Sequence, residues 1–309
     1  MTPRSYASPA AFKQALEQRL RARSTTGLDF ARRRQLLVFD RWFARVAKAF
    51  GDAVVLKGGL VVELRVERAR TTKDVDLRMT GTPEQLLARL QGAGRLDLGD
   101  FIAFEIRADD EHPEIQNDGM QYEGLRFRAA CKLAGKPYGD PFGVDVAFGD
   151  PMIAEPEVMV AEDVLGFAGI APPTFRLYPI ATHVAEKLHA YTMPRARPNT
   201  RVKDLPDIAL LATVQALDAR LLRAALDQTF GFRKTHTLPR ALPDPPAAWA
   251  APYAAMALAD RLGWPTLSEV TLAARAFLDP VLGGASEETW EPASWRWRDA
   301  GRRKVTEEG

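Results

Sequence analysis

The stretch Val54 to Arg78 reads VVLKGGLVVELRVERARTTKDVDLR, and the order of its parts sets the fold. An apolar run, Val54-Val55-Leu56, leads into Gly58-Gly59. A short amphipathic segment follows, Leu60 to Val66, then a basic, hydroxyl-rich turn, Arg68 to Thr72. Asp74-Val75-Asp76-Leu77 closes the stretch. In a strand, side chains at i and i+2 point to the same face. Asp74 and Asp76 are therefore expected side by side, with Val75 and Leu77 turned to the core. Two adjacent carboxylates repel unless a cation sits between them. Oxygen ligands of this kind suit Mg²⁺, which takes one or two carboxylates plus substrate phosphates. The glycine pair lets backbone N–H groups approach an anion closely. Alone, a GG pair is usually a turn and a DxD is often a solvated strand end. In this order and spacing they point to chemistry on a nucleotide.

On either side of this stretch the pattern alternates between helical and strand periods. Ala10 to Arg23 places Phe12, Leu16 and Leu20 on one helical stripe, with Ser8 or Ser5 as cap and Pro9 in the first turn. Phe30 to Phe50 has a wide apolar face and ends at Gly51-Asp52. Ala53 to Leu56 reads as a strand, Gly59 to Val66 as a short helix and Asp74 to Met79 as a strand. Pro83 to Leu90 reads as a helix capped by Thr82. Further strands are expected near Phe101 to Ile106, over Leu125 to Leu133 and over Val144 to Phe148, with an exposed loop or hairpin from Asp109 to Gly124. After about residue 155 the composition shifts. Helical patterns then recur at Pro179 to Thr192, Arg201 to Leu217, Ala219 to Thr229, Ala247 to Leu262 and Ser268 to Leu282, and a polar tail carries Trp290, Trp295 and Trp297. The expectation is an α+β protein. An α/β domain would span residues 1–155, with basic N-terminal helices, and a mostly helical domain 156–309.

The chain has 309 residues, 46% hydrophobic and 27% charged, as in ordinary globular proteins. No apolar run is long enough to span a membrane, and MTPRSYASPAAFKQ lacks the apolar centre of a signal peptide. The lone Cys131 excludes an internal disulfide framework and a cysteine-rich zinc site. A cytoplasmic location is expected. The net charge of +2 hides an asymmetry: residues 1–48 carry 11 Lys/Arg against 3 Asp/Glu. Such a block attracts a phosphate backbone or forms a solvated helix face.

Three later features bear on the acids. Asp145 lies inside VDVAF, where an acid among apolar neighbours usually has a partner. It becomes a third carboxylate if its strand neighbours Asp74 to Leu77. Lys187 recurs with Val184 and Tyr191 at helical spacing, beside a core face, and is a candidate for a triphosphate; snorkelling to solvent is the plainer reading. Asp204 and Asp207 fall at i and i+3 on one helix face, where a first-turn charge favoured by the helix dipole is the plainer reading.

LKGG, RTTKDVDLR, VDVAF, and EKLHAYT followed by RVKDLPDIALL together resemble the AbiEii family. These are the nucleotidyltransferase-like toxins of bacterial toxin–antitoxin systems, and they include the mycobacterial MenT toxins. The resemblance covers about Phe30 to Leu217. It implies a DNA polymerase β-type nucleotidyltransferase domain followed by helices. It implies that Asp74 and Asp76 are the metal-binding pair and Asp145 the third acid, that Lys187 contacts the triphosphate, and that Asp207 acts in catalysis. Gly58, Gly59, Lys57 and Arg70 then bind substrate, and Thr72 stands where relatives carry a hydroxyl that can be phosphorylated to silence the toxin, with Thr71 an equally exposed candidate. One departure is visible: Leu60 and Val61 follow the glycines where nucleotidyltransferases often carry Ser or Thr. The implied reaction is Mg²⁺-dependent transfer of nucleotides, from CTP or UTP, to the 3′ end of a tRNA, opposed by a cognate antitoxin. Its biology would be growth inhibition and phage defence. Two rivals are a nucleotidyltransferase acting on a small molecule or a protein hydroxyl, and a non-catalytic nucleotide-binding module.

Overall fold

The computed structural model describes residues 6–66, 72–111, 124–149, 151–196 and 198–299. Two helices open the chain, α1 (Pro9–Ala22) and α2 (Gly27–Phe50). Ser8 caps α1, its hydroxyl accepting from the Ala11 N–H, and Pro9 stands at the start of the helix. Thr26 caps α2 in the same way, so that helix starts at Gly27, earlier than Phe30. There follow β1 (Val54–Lys57), α3 (Gly58–Arg65), β2 (Asp74–Met79), α4 (Leu86–Gly94), β3 (Ile102–Ala108), β4 (Gly124–Leu133), β5 (Lys136–Pro137), β6 (Phe142–Phe148), β7 (Glu157–Val160) and β8 (Thr174–Leu177). The helix expected from Pro83 starts at Leu86, because Gln85 adopts a left-handed conformation (φ 56°) that breaks the run from Thr82.

These strands form one eight-stranded mixed sheet in the order β3-β4-β6-β2-β1-β8-β7, with β5 on β4. The sheet thus continues to Leu177, beyond the shift in composition near residue 155. One face is covered by α1, α2 and α4 through a core that includes Phe12, Trp42, Phe43, Val75, Leu77, Phe142 and Phe175.

The remaining elements are α5 (Ile180–Thr192), α6 (Asp204–Ala212), β9 (Leu217–Asp218), α7 (Ala219–Arg233), α8 (Ala250–Asp260), α9 (Leu267–Leu282), β10 (Glu288–Glu291) and β11 (Arg296–Asp299). They enclose a second core, which takes in Leu188, Ile208, Phe277 and Trp290 and reaches back to Val62 of α3. The helix expected over Arg201 to Leu217 spans only Asp204–Ala212, since Leu217 is drawn into a small sheet with β10. The tryptophan tail forms the hairpin β10–β11. The indoles of Trp290, Trp295 and Trp297 donate to carbonyls of α6 and α9.

Many of the N-terminal arginines are taken up inside the fold. Arg41 and Arg45 are buried and clamp Asp100, at 2.8 Å and 2.6 Å. Arg23 pairs with Glu162, Arg32 with Glu63 and Arg33 with Asp29. The basic excess of residues 1–48 therefore does much structural work, which a count of charges does not reveal.

Candidate active site

One row of side chains crosses four strands. Parallel pairing of β2 with β6 sets Asp76 opposite Asp145. Antiparallel pairing sets Lys57 of β1 opposite Asp76 and Arg126 of β4 opposite Asp145. Residues directly opposite in a sheet project to the same face. The row therefore runs Arg126, Asp145, Asp76, Lys57, with two carboxylates between two cations. Asp74 lies on the same face as Asp76, opposite Gly143. All five charged side chains line a cleft of about 420 Å³.

Each acid of the pair sits where a glycine leaves room. Gly58 has φ +71°, and a Cβ added there would lie 1.8 Å from Asp76 Oδ2. A Cβ at Gly143 would lie 2.5 Å from Asp74 Oδ1, which accepts instead from the Gly143 N–H at 3.2 Å. Gly58 thus has a local task that the sequence did not disclose: it makes space for a carboxylate. Burial and the neighbouring Asp145 charge push the Asp76 carboxyl up to about 6, against the pull of Lys57 and Lys187.

The expected third acid is brought to the second acid's side, but its carboxylate is already engaged. Arg126 binds it through two hydrogen bonds of 2.7 Å, a forked pair. Among the described residues, no group of three or more His, Cys, Asp or Glu is arranged to hold a metal ion. Asp74 and Asp76 fit a hard divalent cation by donor type and by surplus charge.

The opposite wall comes from the helices. Glu186 and Lys187 on α5 both line the cleft. The Lys187 ammonium is held by Asp204 at 3.1 Å and by Asp207 at 2.8 Å. Asp207 has no exposed surface and holds the Lys187 ammonium from below the cleft lining. Glu186, which sequence reasoning passed over, accepts from Lys57 at 3.1 Å, from the Tyr178 hydroxyl at 3.1 Å and from Arg233 at 3.0 Å. Its place beside Lys187 was a usable signal; the arrival of Arg233 from 47 residues away was not. Behind Arg233 runs a one-way chain of hydrogen bonds. Arg233 donates to His189 Nδ1, His189 Nε2 to Thr235, Thr235 to His236 Nδ1 and His236 Nε2 to Thr192, whose hydroxyl ends on the Leu188 carbonyl. These tautomers follow from the donor at the start of the chain, and both rings must be neutral. Burial lowers both histidines, His189 to about 3.

Among the described residues the cleft lining carries eight Lys/Arg against five Asp/Glu. Lys73 and Lys203 are exposed at its rim. Thr72 is largely buried, unlike the exposed residue the sequence suggested: its N–H donates to Glu63 and its hydroxyl to the Asp74 carbonyl. Gly59 lines the cleft at the start of α3. Arg70 and Thr71 lie outside the described residues.

The model of the family described as "Nucleotidyl transferase AbiEii toxin, Type IV TA system" matches residues 41–295. The chain belongs to the AbiEii family. It is a nucleotidyltransferase toxin of a toxin–antitoxin system, which implies a nucleotide substrate and an antitoxin partner. Among solved structures, this AbiEii chain is similar to MenT4, a nucleotidyltransferase toxin from Mycobacterium tuberculosis, at 16% identity and a TM-score of 0.54, covering 94% of this chain and 93% of that one. JHP933 from Helicobacter pylori matches at 16% identity and a TM-score of 0.44, covering 81% of this chain and 92% of its own. No curated protein sequence matches. The likeness to MenT4 shows the fold. Among the described residues, no AbiEii helix here is long and apolar enough to cross a membrane.

Proposed function

We propose that this toxin is a cytoplasmic enzyme that transfers nucleotides, pyrimidines by preference, from an NTP to the 3′ end of tRNA, in a Mg²⁺-dependent reaction that blocks aminoacylation. The observation that carries this reading is the row Arg126, Asp145, Asp76, Lys57 at the floor of a cleft whose lining carries more Lys/Arg than Asp/Glu.

In this reading Asp74 and Asp76 hold the metal, which when bound neutralises charge on the nucleotide phosphates. Asp145 joins them only by giving up Arg126. Lys57 and Lys187 bind the triphosphate, each steadied by a carboxylate that fixes its position. Arg126 binds a phosphate oxygen or guards Asp145 until substrate arrives. Asp145, on the cleft floor, is the acceptor for the proton of the attacking hydroxyl. The division into a catalytic half carrying the acids and a helical half supplying Lys187 is part of the same proposal.

A small cationic acceptor would call for an acidic pocket, whereas Lys73, Arg195, Arg201 and Lys203 make the surroundings basic. This favours a polyanionic acceptor, since phosphate contacts dominate nucleic-acid affinity. The test incubates the protein with each labelled NTP, Mg²⁺ and total tRNA. Label on the tRNA 3′ end, strongest with CTP or UTP, is the expected result. Label on protein or on a small molecule alone would overturn it.

A further inference from the structure

His183 lies on α5 one turn before Lys187 and lines the same cleft. It is 1% exposed, and among the described residues neither ring nitrogen has a hydrogen-bond partner. The Tyr178 ring stands edge-on to it at 6.3 Å. A buried polar group without a partner is costly, and cores seldom keep one without reason. An apolar side chain of similar size would fill the space at lower cost.

The charges around His183 say what class of partner it would meet. Burial first, and then Lys187, Arg65 and Lys57, hold its ring neutral against the pull of Asp207. A neutral imidazole offers one N–H without adding charge. In a pocket that gathers cations, the group arriving to take that N–H is anionic.

We propose that His183 is a substrate-contacting residue of the nucleotide site, donating a ring N–H to a phosphate oxygen of the incoming NTP between Lys57 and Lys187. This rests on the nucleotidyltransferase reading of the cleft and adds to it a neutral donor on its helical wall. The unpaired nitrogen of the free protein is then a buried donor that phosphate satisfies when it seats in the cleft.

The test uses the full chain, with Mg²⁺, each NTP and inorganic tripolyphosphate as probes, read by thermal shift and by binding titration. His183→Leu is expected to melt, without nucleotide, at or above the wild-type temperature, because it removes two unpaired buried nitrogens. Its affinity for NTP and for tripolyphosphate should both fall about tenfold. His183→Asn, which keeps a donor, should recover part of the loss. Affinity within twofold of wild type in His183→Leu would overturn the proposal, whatever its melting temperature. A loss confined to NTP, with tripolyphosphate unchanged, would overturn the phosphate contact. Wild type that binds no NTP would instead remove the reading of the cleft on which this rests.

Discussion

Asp76 reaches the cleft from a strand, next to a glycine whose missing side chain leaves space for its carboxylate. Lys187 reaches the same cleft from a helix, gripped by two acids that are themselves out of solvent. On the floor, charges of one sign are brought together by strand register and lie beside only partial compensation. On the wall, Lys187 and Arg233 are matched with carboxylates before any substrate is present. The floor therefore carries uncompensated repulsion between carboxylates, whereas the paired cations of the wall are held in place by theirs. That contrast assigns different signatures to damage in the two places.

The largest effect is expected on the floor. Asp76→Ala should reduce nucleotide transfer by at least about 10³-fold, while a melting curve shows the fold intact, since a strained buried charge has gone. Unchanged turnover would break the contrast at its strongest point. On the wall the stability should suffer instead. Asp207→Asn leaves the Lys187 ammonium without its closest partner, and unfolding titrations should show a loss of about 3 kcal/mol. Adding Lys187→Met should restore much of that stability without restoring activity.

Gly58→Ala sits between these cases. The new Cβ collides with Asp76, and the residue must keep φ +71°. A loss of about 2 kcal/mol is expected in denaturant titration, along with weakened transfer because Asp76 is pushed aside. The smallest effect concerns an acid outside the cleft. Asp40 on α2 has one carboxylate oxygen buried without a partner among the described residues. Burial, with Asp100 and Glu162 adding to it against Arg41, pushes its carboxyl up to about 7. An acid raised in the folded state holds its proton there while the unfolded chain gives it up. Its contribution therefore worsens as pH rises from about 4 to about 7. Asp40→Asn should be more stable than wild type by about 1–2 kcal/mol at pH 8, with the difference vanishing toward pH 4. A pH-independent difference would mean that Asp40 is ionised throughout.

The same contrast explains what was legible in the sequence. The floor is written locally: a period of two in DVDLR and VDVAF puts acids on one face, and the strand bounds at Asp74–Met79 come out as expected. Even there Arg126 was missed, because its pairing with Asp145 depends on which strands become neighbours. It left a trace in the alternation of Arg126 and Arg128 along one strand. The wall was less legible. Lys187 and Asp207 stand out by spacing, but Glu186, Arg233 and His183 acquire meaning only when α5, α7 and β1 converge. The basic N-terminal block misled for the same reason: Arg45 finds Asp100 55 residues away. Helix ends drifted where a single residue broke the period, as Gln85 does.

The tail hairpin has an optical consequence. Of six tryptophans in the chain, four stand in ring contact: Trp290 with Trp295 at 5.1 Å and with Trp297 at 5.5 Å, and Trp295 with Trp264 at 5.6 Å. Indoles this close share excitation, so near-ultraviolet dichroism and emission from this protein are weighted toward the end of the chain. Trp42 sits alone in the other core. Replacing it with Phe would leave indoles only in the second half of the chain, so comparing the tryptophan emission of that variant with wild type would separate the melting of the two cores without a label.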